Sequence, residues 1–472
     1  MTDEYIQLGK QQLEGGHPQQ ALGLFLSAYA LQPDSPEVLF CLGRAYSALG
    51  QPEEALRRYL LSLQLDPDSV GTLVNIASQY DTLGQPQLAE DYYIRASNLD
   101  PGNPAIYLEW GIAYSRQGRH QEALACIEQA RRLDPGNPDY AGFEAQKFFD
   151  MEQYDDALAS AQELIRLRPG DAEDYDLLGD ILNALERHEE AIQAYDRAIS
   201  LDHEYWQAWC DKGYALGLLE RYDEALACYQ ACLRGLPGDA YFWNSCGYIL
   251  NLLERHGEAR PYLLRAIELD PQYPHPLSNL ADTYAHEKDH AKAEELYLKA
   301  YSLDPEGRPF DLLDAALCMQ SAQRFAESIP PLEKLLPLAQ EIGRNVPFAL
   351  ATAYLNTNQP EQALRCYYLQ TETFPDWEEI DSCWMHIARL EGQLGNHDRA
   401  ETAWLRLYEH YTEPDDKAFA LYGLGCLRLD QGRCREAVAL FDQAIALDPS
   451  FDEYRTARRH ARRRQLKQKL FS

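Results

Sequence analysis

The sequence predicts an all-α chain of antiparallel helix pairs, and three observations carry that prediction. The first is a period. LERHEEAIQAYDRAISLD (185–202) realigns with LERYDEALACYQACLRGL (219–236) and again with LERHGEARPYLLRAIELD (253–270), each time after 34 residues. The second is apolar patterning: two stripes at three- and four-residue steps recur in every period, the mark of two amphipathic helices. The third is a set of fixed positions where small residues, rings and prolines return in the places that packed helix pairs need them.

Counting Thr2 as position 1, repeats begin at 2, 36, 70, 104, 138, 172, 206, 240 and 274 without a slip. Small insertions move the later starts to 309, 344, 381 and 418, which makes thirteen repeats. The expected organisation is nine regular repeats over 2–307, four irregularly spaced ones over 308–451, and a basic tail over 452–472.

The first helix of each repeat carries Gly or Ala at position 8, as at Gly9, Gly43, Gly111, Gly179, Gly213 and Gly247. It ends near positions 14 to 17, where Gly50, Gly84 and Gly118 suit the positive φ of a helix C-terminus. The second helix carries Ala at position 20 in twelve repeats, from Ala21 to Ala437, with Ser328 the exception. Position 24 favours rings: Phe25, Tyr59, Tyr93, Tyr195, Tyr229 and Tyr297. Small residues at 8 and 20 let paired helices approach, and the position-24 rings fill the space beside them. Proline at position 32, as in Pro33, Pro67, Pro101, Pro135 and Pro449, cannot continue the second helix. Asn103-Pro104 and Asn137-Pro138 then restart a helix with an N-cap and a first-turn proline.

Trp209, Lys212-Gly213, Ala225, Tyr229 and Pro237 form the clearest copy of a pattern that resembles the tetratricopeptide repeat (TPR). The resemblance runs through nearly the whole chain. It implies a right-handed superhelical solenoid whose first helices line a concave groove, and a non-catalytic interaction scaffold or adaptor. Some members grip a C-terminal carboxylate with Lys, Asn and Arg. Lys10 and Arg44 offer a fragment of that clamp, but Ser78 and Glu109 do not extend it. Repeat ten departs from the pattern: it lacks the Ala, and Pro330-Pro331 falls early in its second helix. Residues 305–347 therefore read either as a bend between subdomains or as a longer hairpin.

The formal charge is −32. The last 21 residues hold eight Arg or Lys against two acids, so the rest of the chain is more acidic still. Such a body repels nucleic acid and anionic membrane and attracts basic partners. MTDEYIQLGKQQLEGG shows no basic start followed by an apolar core, and no apolar run approaches a membrane span. Eleven cysteines without an export signal suggest reduced thiols and a cytoplasmic protein.

Cys228 and Cys232 stand four apart, a spacing that could begin a metal site. Position 27 is Ala in Ala28, Ala96, Ala130, Ala198 and Ala266, so Cys232 fills a small-residue core position. Cys126 and Cys366 repeat the position of Cys228, and no second ligand pair lies nearby, which favours packing. His120, His188, His256, His290 and His397 all start a second helix, and His286 and His290 straddle a turn. No phosphate loop, HExxH or G-x-S-x-G is present. No catalytic residue, metal or cofactor is expected.

Function must then come from the inward face, assigned to positions 2, 5, 6, 9, 12 and 13. There repeats five to nine place Asp139, Asp150, Glu173, Asp176, Asp180, Asp211 and Asp282, with Tyr214, Tyr241, Asn244, Tyr248 and Asn251 among them. Carboxylates and tyrosines on one curved face suit an extended, basic protein segment. Position 6 is Asn only at Asn75 and Asn279, so no asparagine ladder is expected. The tail is expected to cap the last hairpin through Tyr454, Ala457 and Ala461. A self-assembling module and, behind it, an RNA-binding repeat protein are the alternative readings.

Overall fold

The computed structural model describes residues 1–342 and 345–471, and every described element is helical. It contains two compact units, Met1–Gly235 and Leu236–Ser472. The first runs from the pair Thr2–Glu14 and Pro18–Leu31 to the pair Trp206–Leu218 and Tyr222–Gly235. The second opens on Ala240–Leu252 and His256–Leu269 and closes on Pro414–Asp430 and Cys434–Leu447, followed by Asp452–Phe471. Within each unit a helix packs on the next in sequence, so the architecture is a stack of antiparallel pairs.

First helices begin at Thr2, Pro36, Val70, Pro104, Pro138, Ala172, Trp206 and Ala240, each on its expected start. His275 follows the expected 274 by one residue, and Pro309 coincides with its start. The expected start at 344 lies outside the described residues; the helix there is Val346–Asn356. The starts placed at 381 and 418 fall inside Ile380–Gln393 and Pro414–Asp430. Side chains of Asn103, Asn137, Asp171 and Asp239 accept from backbone N–H groups in the first turns that follow them.

The core is assembled from the fixed positions. Ala at position 20 and its substitute Ser328 are buried in all thirteen repeats. The position-24 side chain lies over the position-8 residue of its own pair. A Cβ on Gly43 would stand 2.5 Å from the Tyr59 ring, and one on Gly179 would stand 2.3 Å from that of Tyr195. At these two pairs the ring rests where only glycine leaves room; buried rings also occur at position 24 where position 8 is Ala, as in Ala77 with Tyr93 and Ala281 with Tyr297.

Position 15 ends the first helix with positive φ throughout. Gly50, Gly84 and Gly118 take it at 68°, 70° and 72°, whereas Glu152, Glu186, Glu220 and Glu254 are held at 57–59°. In repeat ten the second helix is interrupted: Phe325–Leu335, with Pro330 and Pro331 inside it, gives way to a 3-10 turn and then Ala339–Ile342. The final helix caps its hairpin as expected. Ala461 is buried with Ala437 and Phe441, Ala457 packs beside them, and the Tyr454 ring packs tilted against that of Tyr422. Arg458 anchors it to Asp442 at 2.7 Å.

Candidate functional site

The helix Ala172–Ala184 presents Asp176 and Asp180 one turn apart, and Trp206–Leu218 brings Asp211 beside them. One carboxylate oxygen of each lies within 4.8 Å of one from each of the others. The three are held from outside the group. Tyr205 Oη donates to Asp176 Oδ2 at 3.1 Å, Tyr195 Oη to Asp180 Oδ1 at 2.9 Å, and Gln207 Nε2 to Asp211 Oδ2 at 2.9 Å. Burial pushes the Asp176 carboxyl up to about 7, reinforced by the charges of Asp180 and Asp211. Burial likewise raises Asp211 to about 6, against the Gln207 bond. Asp180 is raised for the same reason, against the Tyr195 bond. The neighbouring Asp174 is paired instead with Arg168, which forks onto it with two bonds of 2.7 Å.

Two other acids expected on this face are already paired. Asp139 accepts from Arg168 Nη1 at 3.1 Å. Asp150 accepts from Lys147 and from Gln146, which together outweigh burial and hold its carboxyl below the usual range. Glu173 is exposed. Tyr214 stands 53% exposed on the same helix as Asp211. The tethers Tyr195, Tyr205 and Gln207 were missed by the sequence reading. Tyr195 was visible only as a core ring, and Tyr205 sits at position 34, outside the helices.

In the second unit the expected polar residues bond to one another and to their neighbours. Asn279 Nδ2 donates to Asn244 Oδ1 at 2.8 Å, and Asn244 Nδ2 lies 3.5 Å from Tyr273 Oη. Asn251 donates to the Asn279 carbonyl at 2.7 Å and accepts from Thr283 Oγ1 at 2.9 Å. Asp282 accepts from Tyr297 Oη at 2.5 Å. The asparagine bonds tie adjacent first helices to each other. Tyr241 and Tyr248 remain 43% and 47% exposed on Ala240–Leu252.

All eleven cysteines are free thiols. Cys232 is buried, with Sγ 3.6 Å from the Trp206 carbonyl. Burial pushes the Cys228 thiol up to about 11, so it stays protonated and inert at neutral pH. His188 Nδ1 lies 2.6 Å from Asn183 Oδ1, a local contact at the turn. Lys10, part of the clamp fragment, pairs with Glu37 at 2.9 Å. Among the described residues no helix is long and apolar enough to cross a membrane.

Family models for the tetratricopeptide repeat match residues 12–74, 82–147, 210–274, 275–306 and 381–450. A further model described as TPR repeat matches 179–219. No curated protein matches the chain. Among solved structures, a thermophilic TPR protein of Thermus thermophilus, TTC0263, is 25% identical, with 39% of this chain and 99% of that one covered and a TM-score of 0.35. YrrB, a TPR protein with an unusual peptide-binding site, is 22% identical over 39% of this chain and 95% of its own, TM-score 0.35. The Cut9-Hcn1 hetero-tetramer of APC/C is 14% identical over 98% of this chain and 96% of its own, TM-score 0.39.

Proposed function

The chain belongs to the tetratricopeptide repeat family, and on that premise we propose that it is an adaptor that receives an extended, basic protein segment along its first helices. Proteins of this family are typically non-catalytic interaction scaffolds. The observation that carries the reading is ring exposure within each unit taken by itself: Tyr214 in the first, Tyr241 and Tyr248 in the second, all at positions assigned to the inward face. An exposed tyrosine offers flat apolar area and a polar tip at small entropic cost, the profile of an interface anchor. The chain as a whole is strongly acidic, which steers cationic segments and rejects anionic ones. The free thiols fit a reducing, cytoplasmic setting.

Fluorescence anisotropy with a labelled Lys/Arg-rich peptide, and with an Asp/Glu-rich peptide of equal length, tests this. The basic peptide is expected to bind in a salt-dependent way. Tyr214→Ala with Tyr248→Ala should weaken it about tenfold or more without loss of helicity. Equal binding of both peptides, or unchanged affinity in the double variant, would remove the reading. Light scattering with and without residues 452–472 examines the rival one: a concentration-dependent mass that needs the tail would favour self-assembly.

A further inference from the structure

Asp176 is only 6% exposed, and its Oδ1 is buried with no hydrogen-bond partner among the described residues. Its other oxygen is taken by Tyr205. The neighbouring cations are committed elsewhere, Arg168 to Asp174 and Lys212 to Asp196. A buried carboxylate oxygen without a donor is costly, and two further carboxylates within 4.8 Å raise that cost.

The second unit supplies an internal comparison. Asp176 and Asp211 occupy position 5 of one repeat and position 6 of the next. Asn244 and Asn279 occupy the same two positions in the second unit, and there one amide donates to the other at 2.8 Å. The tyrosine beside each pair, Tyr205 or Tyr273, also holds one position, 34. An amide carries both donor and acceptor, whereas an ionised carboxylate only accepts. The arrangement that closes on itself with asparagines therefore needs something positive between the aspartates.

We propose that Asp176, Asp180 and Asp211 bind one hard divalent cation of the Ca2+ or Mg2+ class. Oxygens sharing an ion at about 2.4 Å stand at most about 4.8 Å apart, which the three carboxylates satisfy. An all-oxygen donor set selects hard cations over zinc or copper. Tyr205, Tyr195 and Gln207 each fix one oxygen of a ligand and leave the other for the ion, the outer support that metal carboxylates require. Asp180 and Asp211 are partly exposed, so water completes the coordination. The site goes beyond the peptide-binding reading and does not depend on it.

The test is isothermal titration of the full chain, stripped with EDTA, with CaCl2 and separately with MgCl2, in enough NaCl to suppress diffuse binding to surface acids. One saturable site per chain is expected for at least one of the ions. Asp176→Asn with Asp211→Asn rebuilds the asparagine pair of the second unit, so the variant is expected to fold, as circular dichroism will report, and to lose the site. Tyr205→Phe should weaken binding about 10–100-fold. The ion should raise the Tm of the wild type and leave that of the double variant unmoved. No saturable heat with either ion, or equal affinity in the double variant, would overturn the proposal. So would a Lys-rich peptide whose binding needs these aspartates while no ion binds, which would make the cluster an ammonium pocket for a partner. Tyr214→Ala with Tyr248→Ala, which tests peptide binding, should leave the ion titration unchanged.

Discussion

Asp176 with Asp211 in the first unit and Asn244 with Asn279 in the second hold equivalent positions of consecutive repeats, yet they meet opposite electrostatic conditions. The asparagines satisfy each other and a tyrosine. The aspartates are brought together by the same repeat geometry and cannot do so, which leaves Asp176 Oδ1 without a donor; burial first, and the neighbouring charges after it, raise the Asp176 carboxyl to about 7. The repeat thus dictates which two side chains meet, and their chemistry decides whether the meeting closes a joint or calls for a ligand. The helix ends make the same point on the backbone. Position 15 has positive φ whether it holds Gly50 or Glu220, so the stack imposes the turn even where the residue resists it.

The largest expected effect comes from converting the second unit into the first. Asn244→Asp with Asn279→Asp should destabilise the helix Ala240–Leu252 by about 2–4 kcal/mol at neutral pH without divalent ions, because it buries like charges in place of a hydrogen bond. Hydrogen exchange of that helix reads the loss, and unchanged protection would mean that the two sites are not equivalent. The reverse change, Asp176→Asn with Asp211→Asn, should stabilise Ala172–Ala184 by about 1–3 kcal/mol in EDTA. A loss of protection there would show that the carboxylates are structurally required as such.

Smaller effects sharpen the comparison. Tyr195→Phe and Tyr297→Phe remove the same position-24 hydroxyl from Asp180 and Asp282. Each should cost about 1–2 kcal/mol in urea unfolding, and a large inequality would show that the surrounding charges differ in weight. Last, Glu220→Gly should stabilise by about 0.5–1 kcal/mol, while Gly50→Ala should cost about 1 kcal/mol, since only glycine takes positive φ without a steric penalty. Thermal melts of the two variants moving in the same direction would contradict the shared turn.

Much of the architecture was legible before any coordinates. Spacing alone located the helices, because the buried Ala at position 20 and the close pairing of positions 8 and 24 leave a repeating signature that tolerates few substitutes. The capping role of Tyr454, Ala457 and Ala461 was legible for the same reason, as three apolar positions one or two turns apart on an otherwise charged helix. The site was legible only as a set of positions. Asp139 and Asp176 looked alike in sequence, but Arg168 pairs with the first and not the second. Nor did the spacing show that Asn251 bonds to Asn279 and Thr283.

What the amino-acid sequence determined by itself is local: the period, the helix boundaries, the residues that must be small and the chain's acidity. Each depends on neighbours within about one turn or one hairpin, where spacing and geometry are the same thing. Which polar groups are satisfied and which are left wanting was decided only by tertiary structure. Arg168 reaches back 29 residues to Asp139, and Asp211 lies 35 residues beyond Asp176. Such partners meet only after successive hairpins have stacked, and a hydrogen bond or a charge pair exists only at that distance.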